Sequence, residues 1–171
     1  DFYFEKKIMN KFNFLQDEIN LLRTENIYLL KKYNAKIMAR SPFASGCLTG
    51  KINSKSRFGI GDYRYSWLND KERLINILGQ VKKIKKIINL PLKIASKNFL
   101  FQNSQINKII FGVKNPNHIN ELEQDLTSYK KISLAEQKKI FELNNLYFYL
   151  NGKKGIKPNI SHCQKAISIF Y

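Results

Sequence analysis

The feature that most limits what this chain can fold into is a pair of short apolar runs, each ending in a small, polar loop that leads into a helix. The first run, Ala35–Arg40, stops at Ser41-Pro42, where proline removes a backbone donor and ends a strand ladder. The second, Ile106–Phe111, stops at Gly112, and Asn115-Pro116 then has the N-cap and first-turn chemistry of a helix start. With a third apolar run at Ile8–Phe12, the pattern is one of strand–loop–helix units feeding a parallel sheet.

The helices between these runs are legible from period and caps. Leu21, Leu22, Leu29 and Leu30 recur along a helix expected over Asn20–Lys32. Asp70 is the expected N-cap of the strongest helix, in which Leu74, Ile77, Leu78, Val81, Ile84, Ile87 and Ile88 follow the helical period. Pro91 fits the first turn of a helix that buries Leu92, Ala95, Phe99 and Leu100. Ser133-Leu134-Ala135-Glu136 is a capping box opening a last helix through about Leu146. Between Phe43 and Asn69 lies a long loop holding four of the eight glycines, and loops of that length in compact domains are usually functional or disordered. The division expected is residues 1–147 as one α/β body and 148–171 as an irregular tail, opened by the Asn151-Gly152 breaker.

Charge narrows the function classes. The net charge of +17 invites a nucleic-acid reading, because a basic surface releases counterions from phosphate backbones. The lysines are dispersed, however, as in Lys82-Lys83-Ile84-Lys85-Lys86, which reads as a solvated helix face. No specific nucleic-acid partner is expected. Cys47 and Cys163 are the only cysteines and His118 and His162 the only histidines, too few for a disulfide framework or a metal cluster. No run of about eighteen apolar residues is present, and Asp1–Glu5 carries neither the basic nor the apolar region of a signal peptide, so a cytoplasmic location with no membrane partner is expected. Because the first residue is not Met, the chain is expected to be processed or to begin inside a longer reading frame.

In a (β/α)8 barrel, functional loops follow the carboxyl ends of strands, and the loops after strands seven and eight hold phosphate at a helix N-terminus. Three recognisable strands with two such loops give the expected fold class: α/β, the C-terminal part of a TIM barrel, roughly strands six to eight with their helices. Ser41-Pro42-Phe43-Ala44-Ser45-Gly46-Cys47-Leu48-Thr49-Gly50-Lys51 resembles the S-P-L-A-x-G-x-L-T-G-K segment of the aldo/keto reductase family. Ile110 to Glu121 resembles that family's I-P-G-A-x-N-P-x-Q-x-x-E segment, and Phe12-Asn13 looks like the Tyr-Asn pair ending its sixth strand. The resemblance spans about Ile8 to Leu146.

The resemblance implies an NADP site. Arg40 takes the place of the aromatic residue that packs on the nicotinamide, where a planar guanidinium can also stack. Ser41, Phe43, Ala44, Ser45 and Gly46 line the pyrophosphate, since small residues let backbone amides approach phosphate. Thr49 and Lys51 reach phosphate oxygens, and Arg64 closes the loop from the far side. Gly112 and Lys114 stand near the adenosine 2′-phosphate, His118 replaces a flanking glutamine, and Glu121 accepts from the adenine amine. Lys51, Arg64 and Lys114 favour NADP over NAD, because the extra phosphate brings extra negative charge. Met9 stands where the family has a carboxamide-binding glutamine, and Leu122 where it has an asparagine.

The activity implied is NADPH-dependent reduction of a small-molecule carbonyl to an alcohol. The family's catalytic Asp, Tyr, Lys and His come from the first half of its barrel, so no catalytic residue is assigned here. Either a longer chain or a partner completes the site, or the fragment is a degenerate relic. Two alternatives stand beside this reading: a non-catalytic, cofactor-sensing regulatory subunit of the same fold, and a basic nucleic-acid-binding domain. Substrate and oligomeric state are left open by the sequence.

Overall fold

The computed structural model describes residues 11–27, 35–113, 115–127 and 130–151. Strand β1, Phe14–Glu18, pairs in parallel with β2, Lys36–Arg40, which pairs in parallel with β3, Ile106–Ile110. After β2 the chain forms a short 3-10 segment, Ala44–Thr49, and then four helices: α1, Tyr65–Leu68; α2, Lys71–Ile87; α3, Leu92–Phe101, before β3; and α4, Pro116–Thr127, after it. The last helix, α5, is Leu134–Asn151.

The sheet is covered on one face. Leu15, Ile37 and Ala39 are buried toward the helices, together with Leu74, Ile84, Ala95, Phe99, Leu100 and Ile140. The opposite face carries Gln16, Lys36, Arg40 and Lys108, all exposed, with Lys108 Nζ 4.8 Å and Lys36 Nζ 5.7 Å from the centre of the Phe14 ring. A parallel sheet ordinarily has both faces covered, so this polar second face sets the chain apart from a closed layer.

Caps behave as their local chemistry dictates. Asp70 Oδ1 accepts from Arg73 N at 3.1 Å, Asn115 Oδ1 from His118 N at 3.3 Å, and Ser133 and Glu136 exchange both bonds of a capping box. Pro91 sits one residue earlier than expected, as the N-cap of α3. The lysines of α2 lie on its exposed side, as the periodicity requires.

Three expectations are corrected. Of the strand expected at Ile8–Phe12, residues 8–10 lie outside the described residues, whereas Lys11 and Phe12 are not in a strand and the first described strand is Phe14–Glu18. Gln16, Asp17 and Glu18 have weak strand propensity, and pairing with β2 overrides it. The helix expected over Asn20–Lys32 begins later, because Asn20 and Arg23 close a turn and helical backbone starts only at 25–27; Leu29 and Leu30 are outside the described residues. The last helix runs past Leu146 to Asn151. The long loop is also less irregular than its glycines imply, since it holds the 3-10 segment and α1, and the Asn69 side chain pairs with both backbone groups of Phe58 at 2.9 Å. Among the described residues no helix is long and apolar enough to cross a membrane.

Side-chain amides tie these pieces together. Asn20 Nδ2 donates to Ser41 O at 3.0 Å while its Oδ1 accepts from Leu22 N at 2.9 Å, joining the end of β1 to the loop after β2. Asn144 of α5 donates to Leu21 O at 2.7 Å. Replacing Asn20, which is fully buried, with Ala should cost roughly 1–3 kcal/mol in urea unfolding, because Ser41 O and Leu22 N lose partners inside the fold. The exposed Asn76→Ala control should change stability by less than about 0.5 kcal/mol.

Cys47 gives a pH-dependent counterpart. It is 1% exposed, and burial pushes its thiol up to about 11. A folded value above the unfolded one, about 8.5, means that the thiol's contribution is complete below that pH and is lost as pH rises through 11. The loss should approach roughly 3 kcal/mol, and Cys47→Ala should remove this part of the alkaline decline in a melting series.

Candidate functional site

Loops that follow parallel strands emerge at one end of the sheet. Because β2 is central and β3 its neighbour, Ser41–Lys51 and Gly112–Glu121 leave the sheet side by side, with Arg40 opposite Ile110 in register. The Phe43 and Phe111 rings pack across the two loops with centroids 5.8 Å apart, and Phe101 backs Phe111 at 6.3 Å.

The first loop holds an unusual backbone. Ser41, Ala44 and Ser45 have positive φ values of 54°, 47° and 56°, and Gly46 and Gly50 have 95° and 78°. Each non-glycine residue in that region costs about 1–2 kcal/mol, so three in one loop need a structure that holds them. Ala44 N donates to Ser41 O and Gly46 N to Phe43 O, both at 2.9 Å. The amides of Ala44 and Gly46 are thus engaged inside the loop itself, and these bonds are what hold its left-handed backbone. At Gly46 a side chain would meet both a strained φ and close neighbours, Arg64 Nη1 and Ile52 Cδ1, each 3.4 Å from an added Cβ.

Arg64 folds back on this loop. Its guanidinium makes a two-point pair with Asp62, reaches Ser45 O at 3.4 Å and lies 4.3 Å from the centre of the Phe58 ring. Its hydrogen bonds to Asp62 raise its pKa above the ordinary arginine value, and the carboxylate neutralises part of its charge. Thr49 Oγ1 donates to Gly46 O at 2.7 Å and accepts from Lys51 N at 3.2 Å, so it braces the turn that aims the exposed Lys51.

On the second loop, Gly112 is exposed with open space where a Cβ would stand. Lys114 lies outside the described residues. His118 sits in the first turn of α4, its backbone capped by Asn115. Glu121 pairs with Lys93 of α3 at 2.5 Å. That hydrogen bond holds the Glu121 carboxyl below the usual carboxylate range, with smaller contributions from His118 and Lys51. Lys51 of one loop and Glu121 of the other thus share one electrostatic neighbourhood. Arg40 is exposed and makes no ion pair among the described residues.

Sequence reasoning missed residues on the β1 side. With β1 ending at Glu18, Phe12-Asn13 does not mark a strand end, and Ile19-Asn20 takes that position. Gln16 precedes Asn20 by the same four residues that separate Met9 from Asn13. Gln16 lies on the uncovered sheet face, and Asn20 bonds directly to Ser41. The amide-and-acid run Gln16-Asp17-Glu18 concealed a strand whose signal was pairing rather than hydrophobicity.

No protein-family model matches the sequence, and no curated protein matches it. Solved structures do match. The glycerol dehydrogenase AKR11B4 from Gluconobacter oxydans is similar with a TM-score of 0.64 at 16% identity, over 85% of this chain and 45% of that one. The aldo-keto reductase AKR11C1 from Bacillus halodurans, in holo and apo forms, is similar with a TM-score of 0.55 at 14% identity, over 90% of this chain and 48% of its own. The chain spans a little under half the length of these structures. It has the α/β fold of part of an aldo-keto reductase.

Proposed function

We propose that this chain is the cofactor-binding part of an aldo/keto reductase-like oxidoreductase, one that reduces a small-molecule carbonyl to an alcohol with NADPH. The observation that carries this reading is the left-handed backbone of Ser41, Ala44, Ser45 and Gly46 at the carboxyl end of the central strand. Such strain persists where the surrounding structure imposes it, and it clusters at ligand clamps. What supports a phosphate group there is a loop of small side chains that lets a ligand come close to the backbone, with Arg64 behind it and Lys51 exposed beside it; the amides of Ala44 and Gly46 are engaged within the loop and would have to turn to reach it.

In this reading the dinucleotide supplies hydride, and the chain's own residues bind and orient it. The Ser41–Gly46 loop holds the pyrophosphate, Arg40 presents a flat guanidinium to the nicotinamide, and Gln16 supplies the carboxamide-binding glutamine that the sequence reading found replaced by Met9. Lys51 and Lys114 favour the additional 2′-phosphate, with His118 flanking it, whereas Arg64, paired with Asp62, has less charge to offer it. Glu121 is held by Lys93, so it receives the adenine amine only by sharing its carboxylate. The residues that transfer the proton come from the complementary part of the barrel, supplied by further chain or by a partner subunit. The uncovered face with Phe14, Gln16, Lys36, Arg40 and Lys108 is the surface that such a part would complete.

Binding is the direct test. NADP should bind more tightly than NAD by about ten- to a hundredfold, the worth of one charge-assisted phosphate contact. Lys114→Ala should erode that preference, read by calorimetric titration of both cofactors. Equal affinity for the two cofactors would remove the 2′-phosphate assignment.

Gly46→Val supplies a second test. It should weaken both cofactors by at least about tenfold, because a β-branched residue resists positive φ and its side chain would crowd Arg64. Unchanged affinity in a folded variant would dissociate the loop from phosphate binding.

A further inference from the structure

The two ends of the open sheet face differ in charge. At the carboxyl end Glu18 stands opposite Arg40 in register, so both signs meet there. In the amino half Phe14 stands opposite Lys36, and Lys108 lies across from Met38 on the next strand. The two ammonium groups converge on one ring, Lys108 Nζ at 4.8 Å and Lys36 Nζ at 5.7 Å from its centre. Both lysines are exposed, and among the described residues neither has a carboxylate partner.

In open solvent the arrangement is comfortable, because water and the electron-rich face of the ring share the two charges. Covering the face changes the balance. An ammonium taken out of water is strongly disfavoured unless a carboxylate pairs with it, and one phenyl ring cannot replace the hydration of two. A barrel interior is ordinarily filled by bulky branched apolar side chains, and such a layer laid over Lys36 and Lys108 would strand both charges. A second copy of this chain would bring two more lysines against these two, a like-charge juxtaposition that suppresses pairing. Both outer strands, β1 and β3, have one edge open to a further strand among the described residues. An extended segment placed there can turn alternate side chains to the open face.

We propose that the protein part that completes this sheet is acidic on its inner side and presents carboxylates to Lys36 and Lys108 beside the Phe14 ring. The inference rests on the reading of this chain as one part of a barrel, and it adds the chemistry by which the other part is recognised. It concerns the amino half of the face, at the opposite end of the strands from the loops that follow β2 and β3.

A short peptide of alternating glutamate and valine is the probe, with its glutamine–valine counterpart as the uncharged reference. Each is titrated into the full chain at physiological salt without dinucleotide. The glutamate peptide should shift the amide signals of Phe14, Lys36 and Lys108 saturably in a nitrogen-labelled spectrum, and should bind at least about tenfold more tightly than the glutamine peptide. Lys36→Gln/Lys108→Gln should abolish that preference with the melting temperature unchanged, because both side chains are exposed. Lys82→Gln/Lys83→Gln, which removes as much charge from the exposed side of α2, should leave the preference intact. Equal binding of the two peptides, a preference that survives the loss of Lys36 and Lys108, or one lost equally with Lys82 and Lys83 would overturn the proposal. So would an oligouridylate that shifts the same signals at lower concentration than the glutamate peptide, since the face would then be a platform for single-stranded nucleic acid. The cofactor titrations are separate: an NADP preference that holds while the peptides fail removes the acidic partner alone.

Discussion

The structure depends on side-chain amides standing in for backbone partners. A three-stranded parallel sheet wrapped by helices leaves many carbonyl and amide groups at strand ends and turns with no ladder to join, and burying them unpaired would cost more than the core can offset. Asn20 satisfies Ser41 and Leu22, Asn26 the carbonyl of Glu18, and Asn69 both groups of Phe58. Asn107 accepts from Ile37 N where the β2–β3 register shifts. Asn98 of α3 and Gln102, which caps its end, hold the carbonyls of Lys130 and Ile132 ahead of α5. These asparagines, scattered along the sequence, form a set of braces at named positions.

Those braces make the strained loop possible. The positive φ angles at Ser41, Ala44 and Ser45 would relax in an unsupported segment, but Ser41 is tied from one side by Asn20, and Arg64 closes on Ser45 from another. Phe43 and Phe111 then fix the distance between this loop and its neighbour after β3. Strain, support and parallel topology together place a left-handed run of backbone at the carboxyl end of the central strand, the location where α/β folds gather ligand-binding loops.

The one-sided sheet sets the scale of what the chain does by itself. Similar structures extend over about twice this length, and the face that a complete barrel would enclose is polar and open here, with two lysines against Phe14. The chain therefore contributes loops and a layer of helices. A complete reductase reaction would require further groups on that face.

What the sequence determined by itself was local. Helix starts at Asp70, Asn115 and Ser133, the stop at Pro42, the exposed lysine face of α2 and the two loop motifs all rest on contacts within a few residues, so they were legible without coordinates. Tertiary structure decided what depends on distant partners. The first strand is Phe14–Glu18 because β2 pairs with it, against the propensity of its own residues. Asn144 is a brace because Leu21 lies within reach across 123 positions of sequence. Propensity and capping act over one turn of chain, whereas the satisfaction of buried polar groups is settled only once the whole chain has packed.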